Sequence, residues 1–321
     1  MSLTRTGKLG LGLAAVGRPA YLTGGRDADL GGARSVAEMR ARTIDVLDAA
    51  YANGIRYIDT ARSYGLAEEF LADWLRTRPH VTDVVVASKW GYRYVGDWRL
   101  DVDVHEVKEH SLGAFQEQWR ESSELLGGRL SLYQVHSVTE DSPLLSDAPL
   151  QRALADLRDD GLAIGFSTSG PHQGDAIRAA LALEIGGAPL FSSVQSTWNL
   201  LETSAAPALA EAHAAGRTVI LKECFANGRL APGTADQAPG VRNAARLAED
   251  LGVGVDQLAI AAAAHQPWAA RVLSGAATTA QVESHVAGVA LDLTAEHLTD
   301  LTTFAEDPRD YWAARSRRAW N

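Results

Sequence analysis

The stretch GIRYIDTARSYGLAEEFLADWLRTRPHVTDVVVASK, residues 54–89, decides the fold. It opens with a short apolar run, 55–59, and closes with another, 83–89. Between them, residues 67–78 carry the period of an amphipathic helix that stops before Pro79. Strand, loop, helix and strand follow one another in a single unit. The unit recurs along the whole chain. Short apolar runs stand at 9–16, 55–59, 83–89, 130–136, 162–167, 190–195, 218–222 and 271–275, eight in all. Each has the near-continuous hydrophobicity of a parallel strand buried on both faces.

Helical segments separate the runs. The first begins at Ser35, a residue type that caps helix N-termini, and stops at Asn53-Gly54. Residues 103–128 read as one long helix closing on two glycines. Asp147 and Pro149 mark the start of the next. Residues 174–187, 203–216, 240–252 and 279–291 supply the remaining crossovers, and 256–266 add an extra helix before the eighth strand. No Pro/Ser-rich linker or shift of composition divides the chain. Eight βα units without a break predict one α/β domain over residues 1–321, a (β/α)₈ TIM barrel with eight parallel strands inside an outer ring of helices.

Composition narrows the function classes. The 321 residues are 46% hydrophobic and 22% charged, as in ordinary globular proteins. A formal net charge of −10 argues against nucleic acid or an anionic membrane as partner. No apolar run approaches the roughly 20 residues a membrane helix needs. The N-terminal MSLTRTGKLGLGLAAVGRP is interrupted by glycines and lacks a small-residue cleavage site, so it does not read as a signal peptide. Cys224 is the one cysteine, so no internal disulfide forms, and a reducing, cytoplasmic setting is expected.

Two motifs invite a reading they do not support. GLGLAA, residues 10–15, fits a loose dinucleotide fingerprint, but its glycines lie inside the first apolar run and Pro19 follows where a helix would grow. HEVKEH, residues 105–110, resembles a zinc-protease motif with one residue too many. On a helix, i and i+5 diverge by about 140°. A solvated helix face is expected there, and no metal site.

Chemistry concentrates where the apolar runs stop. The second ends in Asp59, with Tyr64 in the loop beyond it; the third ends in Lys89 and the fourth in His136. Singly, each has a bland reading as a cap, a snorkelling amine or a satisfied core histidine. Together they stand on one rim, the C-terminal end of the strands, where barrels of this kind carry their active sites. An acid buried at a strand end needs a partner, and Lys89 supplies one. The ammonium is expected in turn to lower the pKa of Tyr64 and make it a proton donor. His136 then offers a ring N–H to a substrate oxygen.

YIDTARSYGLAEEFLADWL, VVVASKWGY, LYQVHS, IGFSTSG, VQSTWNLLE and VLSGAATTAQVESH occur in this order and together resemble the aldo-keto reductases. The resemblance covers nearly the whole chain. It implies a (β/α)₈ barrel that binds nicotinamide cofactor without a Rossmann motif, with NADP(H) the expected cofactor and NAD(H) the second choice. It implies an NAD(P)H-dependent oxidoreductase that reduces a small-molecule aldehyde or ketone to an alcohol, or runs the reverse. By the same resemblance Tyr64 is the general acid, tuned by Asp59 and Lys89, and His136 orients the carbonyl. Ser167, Thr168, Gln195 and Gly275 fall at cofactor positions, and Trp90 on the substrate side.

The sequence also departs from the family pattern. Lys222 stands where an aromatic often stacks on nicotinamide. Arg229 follows as an expected phosphate contact. Gln281 occupies a place where an arginine often grips the 2′-phosphate of NADPH, and a glutamine brings no charge to it. His285 replaces an asparagine near the adenine. Relatives of this fold also act as cofactor-binding regulatory subunits, so a redox-sensing protein with little turnover is the alternative. The substrate, the direction and the oligomeric state are not legible.

Overall fold

A computed structural model of the chain describes residues 5–22 and 29–320. The first four residues of the N-terminal stretch weighed above as a leader lie outside them. Twelve strands are present among the described residues, in chain order β1 Leu9–Gly12, β2 Tyr57–Asp59, β3 Val85–Trp90, β4 Tyr92–Tyr94, β5 Glu106–Lys108 and β6 Leu130–Val138. They continue with β7 Ala163–Thr168, β8 Glu184–Ile185, β9 Ala188–Pro189, β10 Ser193–Thr197, β11 Thr218–Lys222 and β12 Arg271–Ser274. Eight of them close a parallel barrel in the order β1-β12-β11-β10-β7-β6-β3-β2. These are the eight apolar runs, in sequence order around the ring. The fold is the expected TIM barrel.

Between the strands run helices such as Val36–Ala52, Ala67–Thr77 and Ala148–Asp159. Ser35 caps the first in a reciprocal capping box with Glu38, and Asp147 caps the third through the Leu150 N–H. The barrel's lower interior is a small apolar layer of Tyr57, Ala87, Leu132, Ile220 and Leu273. Gly10 belongs to this wall, and a Cβ there would sit 2.9 Å from the Leu273 side chain and 3.0 Å from the Tyr57 ring. Close packing inside the barrel accounts for the glycine that suggested a nucleotide fingerprint.

The helix expected over 103–128 is a correction. Glu106–Lys108 pairs antiparallel with Tyr92–Tyr94, and the helix starts only at Leu112, capped by the Ser111 hydroxyl. HEVKEH is therefore not a solvated helix face, and His105 and His110 are both buried. A hairpin partner 12 to 16 residues upstream, in the register Tyr92↔Lys108, Arg93↔Val107 and Tyr94↔Glu106, outcompetes the local helical period. Gln195, expected to end the sixth strand, lies in the middle of β10, which runs on to Thr197.

The loop after β2 is pressed against the first βα connection. Leu66 N–H donates to the Gly17 carbonyl at 2.8 Å, and a Cβ at Gly17 would collide with the Tyr64 carbonyl and Ala67. Gly17→Ala is accordingly expected to cost about 1–3 kcal/mol of stability and to displace Tyr64. Urea denaturation and turnover measured together check this; unchanged turnover would mean that the loop yields without moving Tyr64.

Candidate active site

Three adjacent strands and one loop bring the four rim residues together. Asp59 ends β2 and pairs in register with Gly12 and Ala87. Lys89, in β3, stands opposite Gln134 of β6. His136 follows in β6 where its register with β7 shifts between Val135 and Val138, and Ser137 takes a φ of 55°. Such an irregularity re-aims a strand side chain, here the imidazole at the barrel mouth.

Asp59 and Lys89 are buried and form an ion pair. Lys89 Nζ also donates to the Thr60 carbonyl at 2.9 Å. Asp59 Oδ2 accepts from Gln195 Nε2 at 2.8 Å and from Gln134 Nε2 at 3.3 Å. The costly buried acid is satisfied on both oxygens. Lys89 Nζ lies 5.1 Å from the Tyr64 ring centre, and the Tyr64 ring meets His136 edge-on with centroids 5.6 Å apart. Tyr64, His136, Gln195 and Lys222 line one pocket, with Tyr92 and Trp320 on its walls.

The electrostatics correct one expectation. Burial raises the Tyr64 pKa well above its ordinary value, and the Asp59 carboxylate adds to the rise. The reason is physical: desolvation disfavours phenolate, and the Lys89 charge is already matched by Asp59. Burial also lowers the Lys89 pKa, against the pull of Asp59. His136 is held well below the usual imidazole range, first by burial and then by Lys89 and Lys222. It is neutral, with Nδ1 unpartnered among the described residues.

Two further buried histidines behave alike. His110 donates from Nε2 to the His136 carbonyl at 2.7 Å, and burial brings its pKa down to about 4. His285 falls to about 4 for the same reason. Between pH 6.5 and about 4 the unfolded chain binds protons that these folded imidazoles refuse. Stability is therefore complete above the unfolded pKa and is lost as pH falls toward the folded one. His110 alone is expected to cost on the order of 3 kcal/mol of stability once pH has fallen from above 6.5 to below about 4. Urea denaturation at stepped pH is expected to show a slope over this window, shallower in His110→Gln. A flat profile would contradict it.

The comparisons with known proteins fit this geometry. The model of the aldo/keto reductase family matches residues 9–306. The chain belongs to the aldo/keto reductase family. Membership makes it an oxidoreductase by family. No curated protein matches it in sequence. Among solved structures, a holo-form aldo-keto reductase of Bacillus halodurans is 21% identical with a TM-score of 0.71, over 94% of this chain and 92% of that one. The glycerol dehydrogenase of Gluconobacter oxydans is 23% identical with a TM-score of 0.67, over 92% and 90%. An aldo/keto reductase of Klebsiella pneumoniae, solved with NADP and acetate, is 20% identical with a TM-score of 0.65, over 92% and 90%.

As an aldo/keto reductase the chain spreads its other expected site residues unevenly. Gln195, Lys222 and Gly275 line the pocket. Ser167 lies directly behind, its Oγ accepting from the Ser137 N–H at 2.8 Å. Thr168 shares a hydrogen bond with Ser196 at 2.8 Å. Gln281 accepts from the Ala277 N–H and donates to Asp29. His285 is buried against Ser274 at 2.7 Å and stacks on Phe225, which lines the pocket. Arg229 is not aimed at the pocket: it is buried in ion pairs with Asp236 and Glu306. Trp90 is buried against Phe115 and His110, away from the pocket lining.

The structure also adds residues that the sequence reading passed over. Arg18 donates to Glu106 at 2.7 Å and to the Ser63 carbonyl at 2.8 Å. Arg315, from the C-terminal helix Pro308–Ser316, donates to Glu223 through Nε at 2.9 Å and through Nη2. Both pairs line the pocket. Arg315 is thus held in an ion pair and is not a solvated tail charge. Each pair joins segments about 90 residues apart or closer to it, at separations of 88 and 92, and no local signal announces them.

Proposed function

We propose that the protein is an NAD(P)H-dependent reductase of small aldehydes or ketones, working in reverse as an alcohol dehydrogenase. The observation that carries this reading is the Asp59–Lys89 ion pair beneath Tyr64, with His136 edge-on to the same ring.

The residues present fit a nicotinamide nucleotide. Asn227 Oδ1 is buried without a partner among the described residues, in a wall of the pocket formed by the turn Ala226–Gly228. Ala226 and Asn227 both have positive φ, 48° and 55°. Gly12 and Gly275 line the same pocket without side chains. Gln195 spends its Nε2 on Asp59, and its Oε1 is left to accept from a carboxamide. In this reading Gln195 holds the carboxamide, with Ser167 bracing the wall behind it through the Ser137 N–H, and Lys222, Asn227 and Gly275 border the rest, with Thr168, Gln281 and His285 supporting that wall. Arg229 contributes by bracing the loop rather than by touching a phosphate. NADP(H) is the cofactor proposed, with NAD(H) second; the Klebsiella relative was solved with NADP.

A bound reduced nicotinamide supplies the hydride. The chain supplies the rest. Neutral His136 offers an N–H to the carbonyl oxygen and fixes its direction. Tyr64 gives its hydroxyl proton to that oxygen as negative charge builds there, and its raised pKa keeps it protonated until then. An alkoxide is far more basic than a phenolate, so the transfer is downhill. Lys89 stabilises the phenolate left behind, and Asp59 holds Lys89 in place. Tyr92 and Trp320, with ring contacts to His136 and Tyr21, form an apolar wall for the substrate.

The test is loss of reduced-nicotinamide absorbance with NADPH or NADH and a panel of aldehydes, ketones and aldoses. Turnover on some of them is expected. Tight cofactor binding with no turnover on any substrate would reject the reductase reading.

A further inference from the structure

The ionic side chains around the pocket are matched in pairs, with one exception. Asp59 faces Lys89, Glu106 faces Arg18, and Glu223 faces Arg315. Lys222 is left over among the described residues. Its ammonium donates to Thr197 Oγ1 at 3.0 Å, and the nearest carboxylate oxygen, Glu223 Oε1, is 3.7 Å away. That carboxylate is already taken: Arg315 holds both its oxygens, and Thr197 donates to Oε2 at 3.3 Å. Lys222, Glu223 and Arg315 together therefore carry one net positive charge. Glu223 is fixed in this place with a φ of 56°, and Asn199 Nδ2 donates to its carbonyl at 3.0 Å.

Lys222 shares the pocket with Tyr64, His136 and Gln195, and its charge reaches His136. On the reading above, a hydride donor must reach the carbonyl carbon held by Tyr64 and His136, which puts the reacting ring in the pocket that Lys222 also lines. An oxidised nicotinamide carries a positive charge on that ring, and a reduced one is neutral. We propose that Lys222 is a redox-state discriminator: its unmatched charge repels the oxidised nicotinamide and spares the reduced one. An aromatic side chain at the end of this strand would act oppositely, attracting the cationic ring. The inference rests on the nicotinamide reading above. Its consequence is tighter binding of the reduced cofactor and easier loss of the oxidised product.

The experiment is calorimetric titration of the full chain with NADPH and with NADP⁺ separately, in wild type, Lys222→Met and Lys222→Arg. The ratio of the two dissociation constants, oxidised over reduced, is expected to fall by about tenfold in Lys222→Met. In Lys222→Arg, which keeps the charge, it stays near the wild-type value. Arg315→Met gives an independent arm, because a released Glu223 cancels Lys222; there too the ratio is expected to fall. Equal weakening of both forms in Lys222→Met would overturn the proposal and make Lys222 a plain phosphate or ribose contact. An unchanged ratio in that variant would overturn it as well. Failure of wild type to bind either form, or their NADH and NAD⁺ counterparts, would instead remove the nicotinamide reading beneath it.

Discussion

Tyr64→Phe is expected to lower turnover by about 10²- to 10⁴-fold while leaving cofactor affinity unchanged. Only the hydroxyl is removed. The ring keeps its edge-on contact with His136 at 5.6 Å and its place 5.4 Å from the Arg18 guanidinium and 5.1 Å from Lys89 Nζ. Steady-state kinetics in the carbonyl-reducing direction, beside a binding titration, separates loss of the proton donor from collapse of the pocket. The oxidative direction adds a second readout. There Tyr64 must lose its proton first, and its raised pKa makes that harder. Alcohol oxidation is expected to climb with pH across the alkaline range, while carbonyl reduction falls only as Tyr64 ionises. A variant that retains most of its turnover would remove Tyr64 from the chemistry.

The second large effect belongs to the pair beneath it. Asp59→Leu or Lys89→Met alone leaves a buried charge uncompensated, at an expected cost of about 3–5 kcal/mol each. Either also strands the hydrogen bonds of Gln195 or Thr60. The double variant removes both charges and is expected to recover much of that stability, since an apolar replacement of a buried pair is often near neutral. It is not expected to recover turnover, because Lys89 no longer faces the developing phenolate. Denaturation curves and kinetics on the three variants check this. Additive losses in the double variant would mean that the two charges do not compensate each other.

The sequence carried the ring of strands because burial on both faces writes itself as short apolar runs, and all eight runs became barrel strands. The rim acids and bases were legible for the same reason: Asp59, Lys89 and His136 are polar residues in apolar strands. What failed was non-local. The Tyr92–Tyr94 and Glu106–Lys108 hairpin closes through a tip in which Asp97 and Trp98 take positive φ, 45° and 59°. Neither residue type advertises that geometry as Asn-Gly would. Arg315 reads as one more tail arginine until Glu223 is beside it. The direction of the Tyr64 pKa needed the extent of burial, and neighbours in sequence do not supply a dielectric.

The closed ring has a kinetic consequence. Leu9 of the first strand lies opposite Val272 of the last, and the Gln195–Asp59 bond spans 136 residues of chain. Contacts so distant in sequence make for slow, cooperative folding. Until β12 is made, β1 and β11 keep unpaired edges that invite pairing with another chain. An emerging polypeptide can thus hold Asp59, Tyr64, Lys89 and His136 long before it can seat them. During synthesis the site is the last thing to be finished, although its reacting residues are among the first to be made.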